Sequence, residues 1–190
     1  EPKQTAPRTM EVKANVPLDA LYKAWHMSSR LDERYYATEL ITEILSGGGS
    51  SRLFQALVKE KKLFSNIECH HFGSFDEGLL MIEGKLVKGV QMKDAEAAVL
   101  EEVNKLTKEG ISEKELQKVK NKTESMLAFE DMSLMNRATN IAIYELLGDA
   151  ELMNQELERY QQVTAAQIQE ECGRIFNENN SNTLYYYSNN

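Results

Sequence analysis

Ile67-Glu68-Cys69-His70-His71-Phe72-Gly73-Ser74-Phe75, then Asp76-Glu77, then Gly78-Leu79-Leu80-Met81-Ile82-Glu83-Gly84-Lys85-Leu86-Val87, reads as two strands about a tight turn. Gly78 can supply a positive φ there, so Asp76-Glu77-Gly78 predicts a β-hairpin. On the N-terminal side of the hairpin the period changes to that of helices. Leu53, Phe54, Leu57 and Val58 form the apolar stripe of a helix that Ser50 or Ser51 can cap. Ahead of it Ala37, Leu40, Ile41, Ile44 and Leu45 recur at three and four, from an N-cap at Asp32 to a stop at Gly47-Gly48-Gly49. Earlier still, Thr9 to Ala14 and Asp19 to Met27 alternate as strands across Pro17, the second with Leu21, Lys23, Trp25 and Met27 on one side.

On the C-terminal side helices dominate. Ala95, Ala98, Val99, Val103 and Leu106 mark one that stops at Gly110, and Ser112 with Glu115 offers a capping box to the next. Leu116, Val119, Thr123, Met126 and Leu127 are the expected buried face of that helix. Others are expected from about Ser133 to Leu147, over Ala150 to Tyr160, and from a Thr164/Gln167 cap to Phe176. Thr183 to Ser188 closes the chain as a strand, in which Tyr185-Tyr186-Tyr187 are expected to pack in the sheet. The strands are not each separated by a crossover helix. That order predicts an α+β fold, an antiparallel or mixed β-sheet with helices packed on one face.

The chain has 190 residues, a length that fits one domain with a sizeable core. Residues 1–8 read as the remnant of an interdomain linker, and residues 9–190 as a single α+β domain. The balance of 30 acidic against 22 basic residues gives a net charge of -8, which repels phosphate backbones and excludes nucleic acid as the expected partner. No apolar run approaches the ~20 residues that span a bilayer. A soluble protein, cytoplasmic or periplasmic, is the expectation. Cys69 and Cys172, distant in sequence, are expected as free buried thiols.

The residues that chemistry would need are scarce. The chain has three histidines, His26, His70 and His71, and no pair has the spacing of four that sets two imidazoles on one helical face. In a strand Cys69 and His71 would share a face, but no second cluster completes four ligands, so no metal site is expected. No G-x-S-x-G motif occurs, and the glycines at 47–49 lack the lysine of a phosphate loop. No catalytic residue is therefore assigned. Met126, Met132, Met135 and Met153 suggest an adaptable surface, although methionine at helical spacing more often fills a core.

The stretch Ile44-Leu45-Ser46-Gly47-Gly48-Gly49-Ser50-Ser51-Arg52-Leu53-Phe54-Gln55, followed by Leu57-Val58-Lys59-Glu60-Lys61-Lys62-Leu63, resembles the insulinase/pitrilysin zinc metallopeptidases of the mitochondrial processing peptidase type. Leu106 to Leu116, Tyr144 to Asp149 and Val163-Thr164-Ala165 follow in the family's order. The resemblance implies the C-terminal, non-catalytic half-domain of a larger peptidase, closing a substrate chamber and contacting peptide. A catalytically dead scaffold, or a partner subunit of a peptidase complex, is the alternative. The cofactor it implies is zinc, held by an N-terminal catalytic domain or a partner subunit and not by this chain. The implied partners are that zinc domain, a peptide substrate and a second subunit, as a homo- or heterodimer. In such enzymes an arginine and a tyrosine of the second domain help hold the peptide. Here Val58 stands at the arginine's place and Ser65 at the tyrosine's. Lys59, Lys61, Phe64 and Ser65 are the candidate peptide contacts that the resemblance leaves.

Overall fold

The computed structural model describes residues 3–189; Glu1 and Pro2 of the expected linker, and Asn190, lie outside the described residues. Five strands, β1 (Arg8–Ala14), β2 (Ala20–Met27), β3 (Phe64–Phe72), β4 (Gly78–Leu86) and β5 (Ser181–Ser188), form one sheet in the order β1-β5-β2-β4-β3. β1 runs parallel to β5 and every other pairing is antiparallel, so the sheet is mixed. The predicted hairpin is β3–β4, with Phe72 opposite Leu79. β3 starts and ends three residues earlier than its alternation suggested. Its first residue, Phe64, is only 1% exposed and is driven into the core beneath Gly84.

The helices are α1 (Tyr35–Ser46), α2 (Met92–Glu109), α3 (Glu113–Glu130), α4 (Leu134–Leu146), α5 (Glu156–Gln162) and α6 (Ala165–Ile175). One face of the sheet supplies Leu21, Trp25, Met27, Leu80 and Ile82 to a core shared with α1, α2 and α6. Trp25 meets Phe176 edge to face at 5.0 Å, a geometry that adds about 1 kcal/mol to the burial of both rings. Lys23 also points inward. Its ammonium donates to Glu96 Oε1 at 2.9 Å and Thr183 Oγ1 at 2.7 Å, so the buried charge is paired as burial demands. On the opposite face Met10, Tyr22, Ala24, Leu79 and Met81 stay half-buried or exposed, as one-sided helix packing requires.

Several local expectations change under tertiary packing. α1 begins at Tyr35, not at Asp32. Asp32 Oδ1 instead accepts the Arg34 amide and its carboxylate forks with the Arg34 guanidinium, which holds its pKa down at about 2. The helix expected after Ser50 and Ser51 is a π-helical segment, Phe54–Glu60, that neither serine caps. Its wider turn lets Lys61 N–H reach Ala56 O while Leu53 and Leu57 both stay fully buried. Ser112 accepts the Glu115 amide, but Glu115 does not return the bond: its carboxylate is taken by Arg52, at 3.0 and 2.8 Å. The Thr164/Gln167 capping box forms in full. The helix expected over Ala150 to Tyr160 splits into a 3-10 turn, Ala150–Gln155, and α5.

α3 departs most. Only Leu116, Val119 and Lys120 are buried; Thr123 and Leu127 are half-buried, Leu127 against the core, and Met126 is exposed. α4, whose only buried residue is Tyr144, packs against the 3-10 turn Ala150–Gln155. The methionines expected as core filler lie at the surface: Met126, Met132 and Met135 are exposed.

Candidate functional site

The polar groups that gather most densely do so where β2 and β3 end against α1. Arg30 follows β2, His71 is the second-last residue of β3, and Tyr35 and Glu39 lie one turn apart on α1. With Glu156 and Tyr160 of α5, and with Leu127 and Glu130 of α3, they line a cleft of about 310 Å³. On its floor the Glu39 carboxylate stands 3.0 Å from His71 Nε2 and accepts the hydroxyls of Tyr160 and, at 3.4 Å, Tyr35. Tyr35 Oη is also 3.1 Å from His71 Nε2. Burial pushes the Tyr35 phenol well above its ordinary pKa, so it stays protonated as a donor.

On the cleft's other side the Arg30 guanidinium lies over the rings of Tyr35 and Tyr144, at 5.8 and 5.2 Å, and 3.7 Å from Glu156. Burial raises the Glu156 pKa, a shift that a hydrogen bond with Tyr144 opposes. The chemical consequence is closure. Glu39, His71, Tyr35 and Tyr160 satisfy one another, and Arg30 answers Glu156, so the carboxylates of Glu39 and Glu156 are spent on ties between elements. Among the described residues no three His, Cys, Asp or Glu side chains come together so as to hold a metal ion.

The strand geometry does place Cys69 and His71 on one face, yet each has other business. Cys69 is buried, which drives its thiol strongly upward in pKa, and His71 turns to Glu39. Cys172 is the other free, buried thiol, pushed up to about 12 chiefly by burial. His70 packs edge to face on Phe72 at 5.0 Å, and His26 lies on the half-exposed side of β2.

The residues suggested as peptide contacts lie at the far end of the same strands. Lys59 is exposed, its ammonium 5.5 Å from the Phe54 ring centre. Lys61 pairs with Glu101 at 2.5 Å and, with Lys105, holds the Glu101 pKa down at about 2. Ser65 is exposed and donates to Lys85 O at 3.1 Å. Phe64 belongs to the core, and Val58 packs against that core half-buried. Lys59, Lys61 and Ser65 are therefore exposed, whereas the Phe64 ring is turned into the core. Sequence reasoning did not foresee the cleft, because Glu39 and His71 are distant in the chain and carry no motif.

Residues 1–123 match the sequence profile of the family described as the peptidase M16 inactive domain. The chain belongs to that family, and its mixed sheet with helices on one face is the family's fold. It is similar to YmxG of Bacillus subtilis (strain 168), an uncharacterized zinc protease, with 29% identity over 115 residues, 60% of this chain and 28% of that protein. Among solved structures it superposes on a protease from Helicobacter pylori with a TM-score of 0.92 at 20% identity, covering 97% of this chain and 45% of that one. A peptidase M16 inactive domain from Pseudomonas fluorescens gives a TM-score of 0.75 at 18% identity, over 96% of this chain and 43% of that one. The chain thus spans less than half the length of each of these relatives. No helix among the described residues is long and apolar enough to cross a membrane.

Proposed function

We propose that this domain is the non-catalytic half of a zinc metallopeptidase, forming a wall and lid of the substrate chamber while hydrolysis is left to zinc held by an N-terminal domain or a partner subunit. The observation that carries this reading is the commitment of the cleft's Glu39, His71 and Glu156 to partners within the fold. A domain of this kind contributes by enclosure: it keeps water from the reacting peptide and admits only chains short or unfolded enough to enter. Lys59, Lys61 and Ser65 are the surface through which it contacts the peptide, the two ammonium groups meeting backbone carbonyls or acidic side chains.

A second reading, a scaffold subunit with no part in hydrolysis, is favoured by Val58 and Ser65, which stand where the resemblance would have an arginine and a tyrosine. Metal analysis and cleavage of an unfolded peptide by the intact parent protein separate the two. The peptidase reading expects about one zinc per catalytic half and turnover. A parent assembly with neither is a scaffold.

A further inference from the structure

We propose that the hollow between the inner face of β2, α2 and the turn before β5 is a binding site for a free α-amino acid with an apolar side chain. The cavity holds about 420 Å³, a size typical of small-molecule sites. Alternation along β2 sets Lys23 and Trp25 on one face of the strand, and both line the hollow. Glu96 and Leu100, one turn apart on α2, give the opposite wall a carboxylate and an apolar group. Phe176, at the end of α6, completes an aromatic wall by meeting Trp25 edge to face. None of these residues lines the cleft at Glu39, so the site is separate from it and does not rest on the peptidase reading.

The polar groups say what the ligand carries. Lys23 is buried, and its ammonium gives two N–H groups to Glu96 and Thr183; the third has no acceptor among the described residues. The indole N–H of Trp25 also lacks an acceptor among them, although the residue is only 1% exposed. It is not sealed from solvent, for the sealed side-chain polar atoms without a partner are the hydroxyls of Ser28 and Ser51. The N–H therefore opens on the hollow that Trp25 lines. Two donors left over at one place need an acceptor, and beside an ammonium a carboxylate makes the stronger bond. Charge decides the rest. Glu96 is already answered by Lys23 and, at 2.5 Å, by the hydroxyl of Tyr185. Glu178, on the rim between α6 and β5, is exposed, and its carboxylate has no partner among the described residues. A plain anion would face that carboxylate uncompensated, and a plain cation would leave the two donors unmet. A zwitterion answers both, with its carboxylate on Lys23 and Trp25, its ammonium on Glu178 and its side chain against Phe176 and Leu100.

The test is calorimetric titration of the full-length parent with three probes. L-phenylalanine carries both charges, 3-phenylpropanoate only the carboxylate, and 2-phenylethylamine only the ammonium. L-phenylalanine is expected to bind, with each of the other two about tenfold or more weaker. Glu178→Gln, on the exposed rim, is expected to weaken L-phenylalanine about tenfold at an unchanged thermal midpoint. Lys23→Met should do the same, with circular dichroism reporting its fold, and Glu178→Gln carries the test alone where that variant does not fold. No binding of L-phenylalanine up to ~10 mM, a singly charged probe that binds as tightly, or binding undiminished by Glu178→Gln would each overturn the site.

Discussion

Ser46 Oγ, on the last turn of α1, donates to the carbonyl of Cys69 and accepts the amide of the same residue, both at 2.8 Å. β3 is an outer strand of the sheet, and an outer strand exposes unpaired backbone groups that invite another chain. One hydroxyl closes that edge at its centre. Ser46→Ala leaves both groups without a partner and is expected to destabilise the fold by about 1–3 kcal/mol, read as a lower urea midpoint with faster amide exchange at Cys69. Unchanged exchange there would mean that the edge is closed by something else.

Arg52 joins the residues just before the π-helical segment to the start of α3 through the Glu115 fork and a 3.1 Å bond to Gly110 O. A lysine reaches the charge but not the fork. Arg52→Lys is expected to lose about 1–2 kcal/mol, measured by thermal unfolding, and a variant as stable as wild type would show the fork to be dispensable.

Gly84 is kept small by Phe64. A Cβ at Gly84 would stand 2.6 Å from Phe64 Cδ1, and that ring has nowhere to move in the core. Gly84→Ala is expected to cost about 1–3 kcal/mol through overpacking. Phe64→Leu in the same chain should recover part of the loss, and failure to recover any would place the strain elsewhere.

Glu156 sets a pH dependence. Burial raises its pKa in the fold, so the folded chain keeps this proton to higher pH than the unfolded chain, whose carboxyl titrates near ~4.3. The stability tied to that proton is complete below ~4.3 and is lost as pH rises through the higher folded value. Glu156→Gln cannot lose a proton there. The urea midpoint of Glu156→Gln minus that of wild type is expected to grow as pH rises from 4 to 8, and a difference that shrinks would show that Arg30 holds the carboxylate charged.

The hairpin, both flanking helix runs and the closing strand were legible because alternation and 3.6-residue spacing are imposed by one-sided burial, which the sheet obeys. β1's parallel pairing with β5 was not, since a strand's own pattern does not say which neighbour it meets. Ser112 misled because its box partner Glu115 had a stronger claimant in Arg52. Met126 misled for a deeper reason: apolar spacing marks a stripe on a helix but does not say how far along it the core reaches, and here Leu127 meets the core half-buried while Met126 stays exposed. The cleft at Glu39 and His71 left no trace in the sequence, being made by contact between distant segments without a motif. Lys59, Lys61 and Ser65 were suggested only through the aligned family segment, which also drew in Phe64, a core residue.

The central claim is that this domain lends enclosure and no metal ligand to the reaction. Its most direct test is zinc stoichiometry and peptide turnover in the intact parent after replacing His26, His70 and His71 together by asparagine. Zinc content equal to wild type, with the zinc-bound enzyme still cleaving peptide, is the result predicted; loss of zinc from a variant that remains folded would contradict it.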